Sequence, residues 1–145
     1  MSKIRKLLQP FARRQDGASA VEFAIVLPVF LMILFGIITF AGYLSLVQSV
    51  QQLAAEAARA SVGGLSDTER ASLATNTIQT QSSNYPFLQP NRLVLVAAAT
   101  DPTTSTFTVQ LQYDASSSFI YSLPSLVPMP SPLIIRSAAI QRGGY

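Results

Sequence analysis

The feature that most constrains this chain is a stretch of 25 residues without a formal charge, residues 23–47. A helix needs about 20 predominantly apolar residues to cross a bilayer, whereas the apolar core of a secretory signal peptide has only about 7–15. The stretch is too long for a signal peptide, so we expect it to remain on the mature protein as a transmembrane helix. Pro28 and Gly36 lie inside it, and spanning helices tolerate both because lipid offers the backbone no other hydrogen-bond partner.

The basic residues are concentrated before this stretch. Five of them and one acid lie in residues 1–17, so this segment carries +4 of charge and the remainder −1, for a net +3. Positive residues flanking a span stay on the cytoplasmic side, which predicts a cytoplasmic N-terminus and an extracytoplasmic domain after the span. Phe11 is the one aromatic residue among the basic ones, so we expect no nucleic-acid partner.

The chain contains no cysteine and no histidine. Disulfides and thiolate metal sites are therefore excluded, and the commonest general base and metal ligand are missing. A Ser–Lys arrangement is unpromising because both lysines, Lys3 and Lys6, lie in the cytoplasmic leader, and the acids of the outer domain are sparse. We expect no enzyme, no cofactor and no metal.

Asp114, Ser116 and Ser118 read D-x-S-x-S, which resembles the first metal-binding segment of von Willebrand A-type domains. Only 27 residues follow Ser118. That is too few for the remaining layers and ligands of such a domain, so we predict a turn with a serine-rich exit instead.

Glu22 lies at the N-terminal end of the charge-free stretch, five residues after Gly17. One interpretation is an interfacial acid near a helix N-terminus, where the helix dipole favours it by ~0.3–1 kcal/mol. The other begins with a cut after Gly17, which gives Ala18 a free amino group one helical turn from Glu22. The two opposite charges could then pair, within one subunit or between neighbours.

The basic leader, the glycine, the acid five residues later and the apolar run together resemble a type IV prepilin leader. Residues 17–64 more narrowly resemble the TadE-like family of pseudopilins from the tight-adherence (Tad or Flp) pilus system. The matching features are the small residues after Gly17, Val21-Glu22-Phe23, Leu27-Pro28, Phe35-Gly36-Ile37-Ile38 and the Ala-rich continuation. One departure is Thr39, since many members carry an acid in that region.

The resemblance implies that a prepilin peptidase cuts between Gly17 and Ala18, and that Glu22, Phe23 and Pro28 serve assembly. It also implies a minor pilin or pseudopilin of the bacterial inner membrane that takes part in Tad pilus assembly and adhesion. Its expected partners are the peptidase, other pilin-like subunits, the pilus assembly machinery and the lipid bilayer, and it could itself enter the pilus. The alternative is a generic signal-anchored periplasmic scaffold or binding protein that keeps its N-terminus.

The long helix is expected to continue beyond the membrane to residue 62, because Gly63-Gly64 then supplies a stop. Small and apolar residues recur at helical spacing along this outer part: Val47, Val50, Leu53, Ala54, Ala57, Ala58 and Ser61. The stripe could pack on the protein's own domain or on neighbouring subunits. We divide the chain into a leader (1–17), a long helix (18–62) and a small outer domain (66–145).

The outer domain has signals for one helix and three strands. Ser66 and Glu69 have the spacing of a capping box, and residues 92–99, 106–113 and 133–140 have strand patterns. In the second strand Phe107, Val109, Leu111 and Tyr113 share one face. These patterns predict an α+β fold, in which the long helix packs on a second short helix and a small antiparallel sheet with a water-facing polar side.

The segment of residues 116–132 contains four prolines and a cluster of bulky apolar residues. It is too apolar for a free linker. It could fold back to complete a core that so small a domain can barely supply, or it could form an exposed patch for a partner subunit.

Overall fold

The computed structural model describes residues 15–124 and 127–141. Two α-helices precede three β-strands: α1 (Gln15–Ala60), α2 (Asp67–Gln81), β1 (Leu93–Asp101), β2 (Thr106–Asp114) and β3 (Leu133–Gln141). The strands form one sheet in the order β1-β2-β3, and both neighbouring pairs are antiparallel. The predicted α+β fold is confirmed, with a long first helix, a short second helix and a three-stranded sheet.

The corner between α1 and α2 is closed by side chains that cap the second helix. Ser66 Oγ accepts a hydrogen bond from the Glu69 backbone N–H at 3.2 Å, as the capping box predicted. The return bond differs from the usual pattern, because the Glu69 carboxylate accepts from the Leu65 N–H (2.9 Å). Arg70 Nε donates to the Gly64 carbonyl at 2.9 Å. A Cβ on residue 64 would lie 2.6 Å from Cγ of Arg70, so this close corner needs a glycine.

The core lies between the outer half of α1 and one face of the sheet. The four residues predicted for the inner face of β2 are fully buried: Phe107, Val109, Leu111 and Tyr113. Against them pack the residues of the α1 stripe from Val50 onward, which are also buried: Val50, Leu53, Ala54, Ala57 and Ala58. Alanines let the helix backbone approach the sheet closely. The stripe is thus covered by the protein's own domain.

The outer face of the sheet is less polar than the alternation in β2 suggested. Gln112 of β2 pairs with Val94 of β1 on one side and with Ile135 of β3 on the other. Both neighbours are exposed, as are Val96, beside a bulge in β1, and Leu133. The predicted polar face therefore holds for the central strand and not for the two edge strands.

The proline-rich segment folds back onto α1. Ile120 is buried, and Tyr121, whose hydroxyl donates to the Pro130 carbonyl at 3.1 Å, packs against the core. This matches the interpretation that the segment completes the core, although Phe119 stays 46% exposed. It also fills the small notches at Gly36 and Gly42: a Cβ at residue 36 would lie 3.3 Å from Val127.

Candidate processing and assembly site

The residues proposed for processing and assembly lie together at the start of α1, outside the domain: Gly17, Ala18, Glu22, Phe23 and Pro28. All five are exposed, and α1 continues through Pro28 without a break. Within the described residues α1 runs from Gln15, so the Gly17–Ala18 peptide bond is part of this helix.

Gly17 has no structural reason to be a glycine within the part of the chain that the structure describes. A Cβ placed there would meet nothing within 4 Å, and no described glycine has a positive φ. Glycine inside a helix costs roughly 0.5–1 kcal/mol relative to alanine. At Gly42 and Gly64, by contrast, a Cβ would collide with a neighbouring side chain. The fold explains those two glycines, whereas Gly17 and Gly63 both have open space at the Cβ position.

Glu22 is an exposed carboxylate on an otherwise apolar helix surface. Within residues 15–124 and 127–141 the one ion pair is between Arg92 and Asp114 in the outer domain, so Glu22 has no ion-pair partner there. Positions 18 and 22 are four apart and share one face of the helix. A positive charge created at Ala18 would therefore be one turn from this carboxylate.

The surface around Glu22 is apolar on every side of the helix. Large side chains that remain exposed include Val21, Phe23, Ile25, Val26, Val29, Phe30, Ile33 and Ile37. Among the described residues, α1 is the one helix long and apolar enough to cross a membrane, with a mean hydropathy of 2.8 over a window that is only 6% buried. So large an apolar surface calls for a cover of lipid or of other helices.

The Asp114 motif forms the turn that the sequence predicted. Asp114 Oδ1 accepts from the backbone N–H of Ser116 at 2.9 Å, and Oδ2 accepts from Nη1 of Arg92 at 3.2 Å. The Ser116 hydrogen bond is the main cause that lowers the pKa of Asp114, and the charge of Arg92 adds to it. Both carboxylate oxygens therefore serve the local structure.

Sequence reasoning missed a groove of about 350 Å³ beside the proline-rich segment, lined by Phe87, Gln89, Ser117, Ser118 and Phe119. The rings of Phe87 and Phe119 lie 5.6 Å apart between centroids.

Phe87 has φ +70°, a backbone conformation that bulky residues rarely adopt. The Tyr113 hydroxyl stabilises this backbone conformation: it donates to the Phe87 carbonyl at 3.3 Å and accepts from the Gln89 N–H at 3.2 Å. Position 87 is neither glycine nor asparagine, so the sequence carries no signal for this backbone conformation.

Comparison with known proteins agrees with the resemblance read from the first helix. The model of a family described as TadE-like protein matches residues 17–59. The match begins at Gly17 and ends near the end of α1, and it confirms the predicted resemblance over that segment. Neither the curated proteins nor the solved structures contain a match to this chain.

Proposed function

We propose that this chain is a minor pilin or pseudopilin that takes part in assembly of a Tad-type pilus, and that a prepilin peptidase matures it by cutting after Gly17. The observation that supports this most is a coincidence at one residue. The TadE-like match starts at Gly17, and Gly17 is also a glycine that the fold of the described residues does not require. A requirement from outside the fold, such as the specificity of a peptidase, accounts for both facts.

The cut would change the electrostatics of the helix end. Before the cut, the Ala18 nitrogen belongs to an uncharged peptide bond and the Glu22 carboxylate has no charged partner. After the cut, Ala18 carries an ammonium group one turn from that carboxylate. Burying an ion pair costs much less than burying either charge alone. The mature helix end could therefore enter an apolar bundle with its charges matched, within the subunit or across to a neighbour. Such a pair would also set the axial register between packed helices.

The apolar surface of α1 serves two successive environments in this proposal. In the inner membrane it is covered by lipid, with the basic leader in the cytoplasm, where the peptidase acts, and the domain on the periplasmic side. In an assembling pilus the helices of other pilin-like subunits take the place of lipid. Phe23 and Pro28, both exposed on this surface, would then contact those helices. The exchange is possible because lipid chains and apolar side chains solvate such a helix about equally well.

A signal-anchored scaffold that keeps its leader is the competing proposal. It requires no glycine at position 17, so it leaves Gly17 without a reason, and it accounts for Glu22 only as an interfacial acid near a helix N-terminus.

Loss of the gene in a bacterium with a working Tad system tests the proposal. We expect the deletion strain to make fewer or no surface pili by electron microscopy and to attach poorly to surfaces. A plasmid copy should restore both, as should a copy with Thr104→Ala, a matched control in the exposed turn between β1 and β2. Normal pili and attachment in the deletion strain would contradict the proposal.

A further inference from the structure

The outer domain contacts α1 far down its apolar stretch. Val127 lies against Gly36, and Ile120 and Phe119 lie against Gly42. At 1.5 Å per residue, Gly36 is about 29 Å and Gly42 about 38 Å along the helix from Gly17. The hydrocarbon core of a bilayer is about 30 Å thick, and the headgroup layers bring the total to about 40–45 Å.

Placements of α1 in which the hydrocarbon begins between Gly17 and Glu22 bring these contacts to the outer membrane boundary. If the hydrocarbon begins at Gly17, it ends level with Gly36 and Val127, and Phe119 lies among the headgroups. If it begins at Glu22, it ends about 30 Å later, level with Gly42, and Val127 lies inside it. A tilted helix gains less depth per residue, which moves the contacts deeper still.

The surface at this level has the composition of a membrane interface. Phe87 and Phe119 are 60% and 46% exposed, and interfacial segments bury apolar side chains such as phenylalanine at the headgroup–acyl boundary. Residues 115–135 contain no charged side chain. The charges that flank these residues along the chain are Asp114, which pairs with Arg92, and Arg136, which donates to the Ile135 carbonyl at 2.8 Å. The lack of charge within residues 115–135 themselves favours contact with the acyl boundary.

We propose that the loop tips of residues 85–89, 119–124 and 127–130, here called the membrane foot, insert into the headgroup–acyl boundary of the outer leaflet. The foot acts as a second, interfacial contact beside the single span and fixes the height and tilt of the domain above the membrane. This inference rests on the proposed membrane span of α1 but not on cleavage after Gly17.

The absence of cysteine in the chain allows a direct depth measurement, since each introduced cysteine is unique. The full-length protein carries Phe87→Cys or Phe119→Cys in the foot, each labelled with an environment-sensitive fluorophore and reconstituted in phospholipid vesicles. Ile33→Cys is the control within the span. Leu65→Cys is the matched control for an exposed apolar residue, 90% exposed and located just past the outer end of α1. Quenching is measured with spin-labelled lipids and with aqueous iodide.

We expect shallow spin-labelled lipids to quench both foot positions, and iodide to quench them severalfold less than it quenches position 65. The inference is overturned if positions 87 and 119 respond as position 65 does. It is also overturned if they are shielded from iodide without lipid quenching and the shielding grows with protein density, which would show contact between copies. If spin-labelled lipids quench position 33 while the foot positions fail, the proposed span stands and the foot alone is contradicted. If they do not quench position 33, both the span and the foot are contradicted.

Discussion

Ile120 lies directly over Gly42, so that a Cβ on residue 42 would be only 2.5 Å from Cγ2 of Ile120. The contact joins the segment after β2 to the lower part of α1 and leaves no room for any side chain at position 42. It holds the domain against the lower part of the helix, and it can be tested separately from the proposals on processing.

Gly42→Ala should destabilise the protein although alanine is the better helix former. The added methyl overpacks the contact with Ile120, for which we expect a loss of about 1–3 kcal/mol in the free energy of unfolding. Thermal or denaturant unfolding of the full chain in detergent measures it. Gly63→Ala is the matched control, because a Cβ there meets nothing within 4 Å. The loss should shrink in an Ile120→Ala background, and equal losses in both backgrounds would exclude this contact as the cause.

Gly17→Val should block processing and leave the domain intact. Position 17 has open space around it, so the melting temperature should not change, while the bulkier residue should no longer fit the peptidase. Gel mobility in cells that contain the peptidase measures processing. Gly63→Val should be processed normally. Efficient cutting of the Gly17→Val protein would argue against Gly17 as the recognised residue.

Glu22→Ala should still be cut but should assemble poorly. The cut then leaves the Ala18 ammonium without its carboxylate, so inserting the helix among others exposes an unpaired charge to an apolar environment. We expect severalfold fewer pili with unchanged processing. Glu22→Asp, which keeps the charge on a shorter side chain, should be less affected. Wild-type numbers of pili in the alanine variant would remove the pairing role.

Two exposed carboxylates, whose pKa values are lowered in the folded chain, should make the stability of the outer domain depend on pH. The Thr103 hydroxyl lowers the pKa of Asp101, and the Ser116 N–H lowers the pKa of Asp114, both from an ordinary 3.8. Because these pKa values are lower in the folded chain, the stabilisation is present in full above the unfolded value and is lost as pH falls through the folded one. The melting temperature should fall below about pH 4. The double variant Asp101→Asn, Asp114→Asn should lose less of its melting temperature as the pH falls. A melting temperature that falls as steeply as in the wild type would contradict the role of these two carboxylates.

Local patterns were enough to predict the elements, whereas the proposed site came from the resemblance to a prepilin leader and stays a prediction. Alternation in β2 and the Ser66 cap are encoded within a few neighbouring residues, so strand faces and helix starts could be read directly. The contact between Ile120 and Gly42 joins residues 78 positions apart and carries no local signal. For the same reason the sequence left open whether residues 116–132 belong to the core.

The backbone of Phe87 and the exposed valines of the sheet also escaped prediction. A positive φ is expected at glycine or asparagine, and here a tertiary hydrogen bond from Tyr113 holds a phenylalanine in that conformation. Val94 resembles a core residue in the sequence, because alternation shows that two faces differ and not which face is covered.

The intact mass of the protein isolated from its native bacterium tests the central claim most directly. If the account is right, the mass corresponds to a chain that begins at Ala18 and keeps the apolar helix. A mass that includes the leader, in cells where the prepilin peptidase is active, would mean that the ammonium group facing Glu22 is never formed.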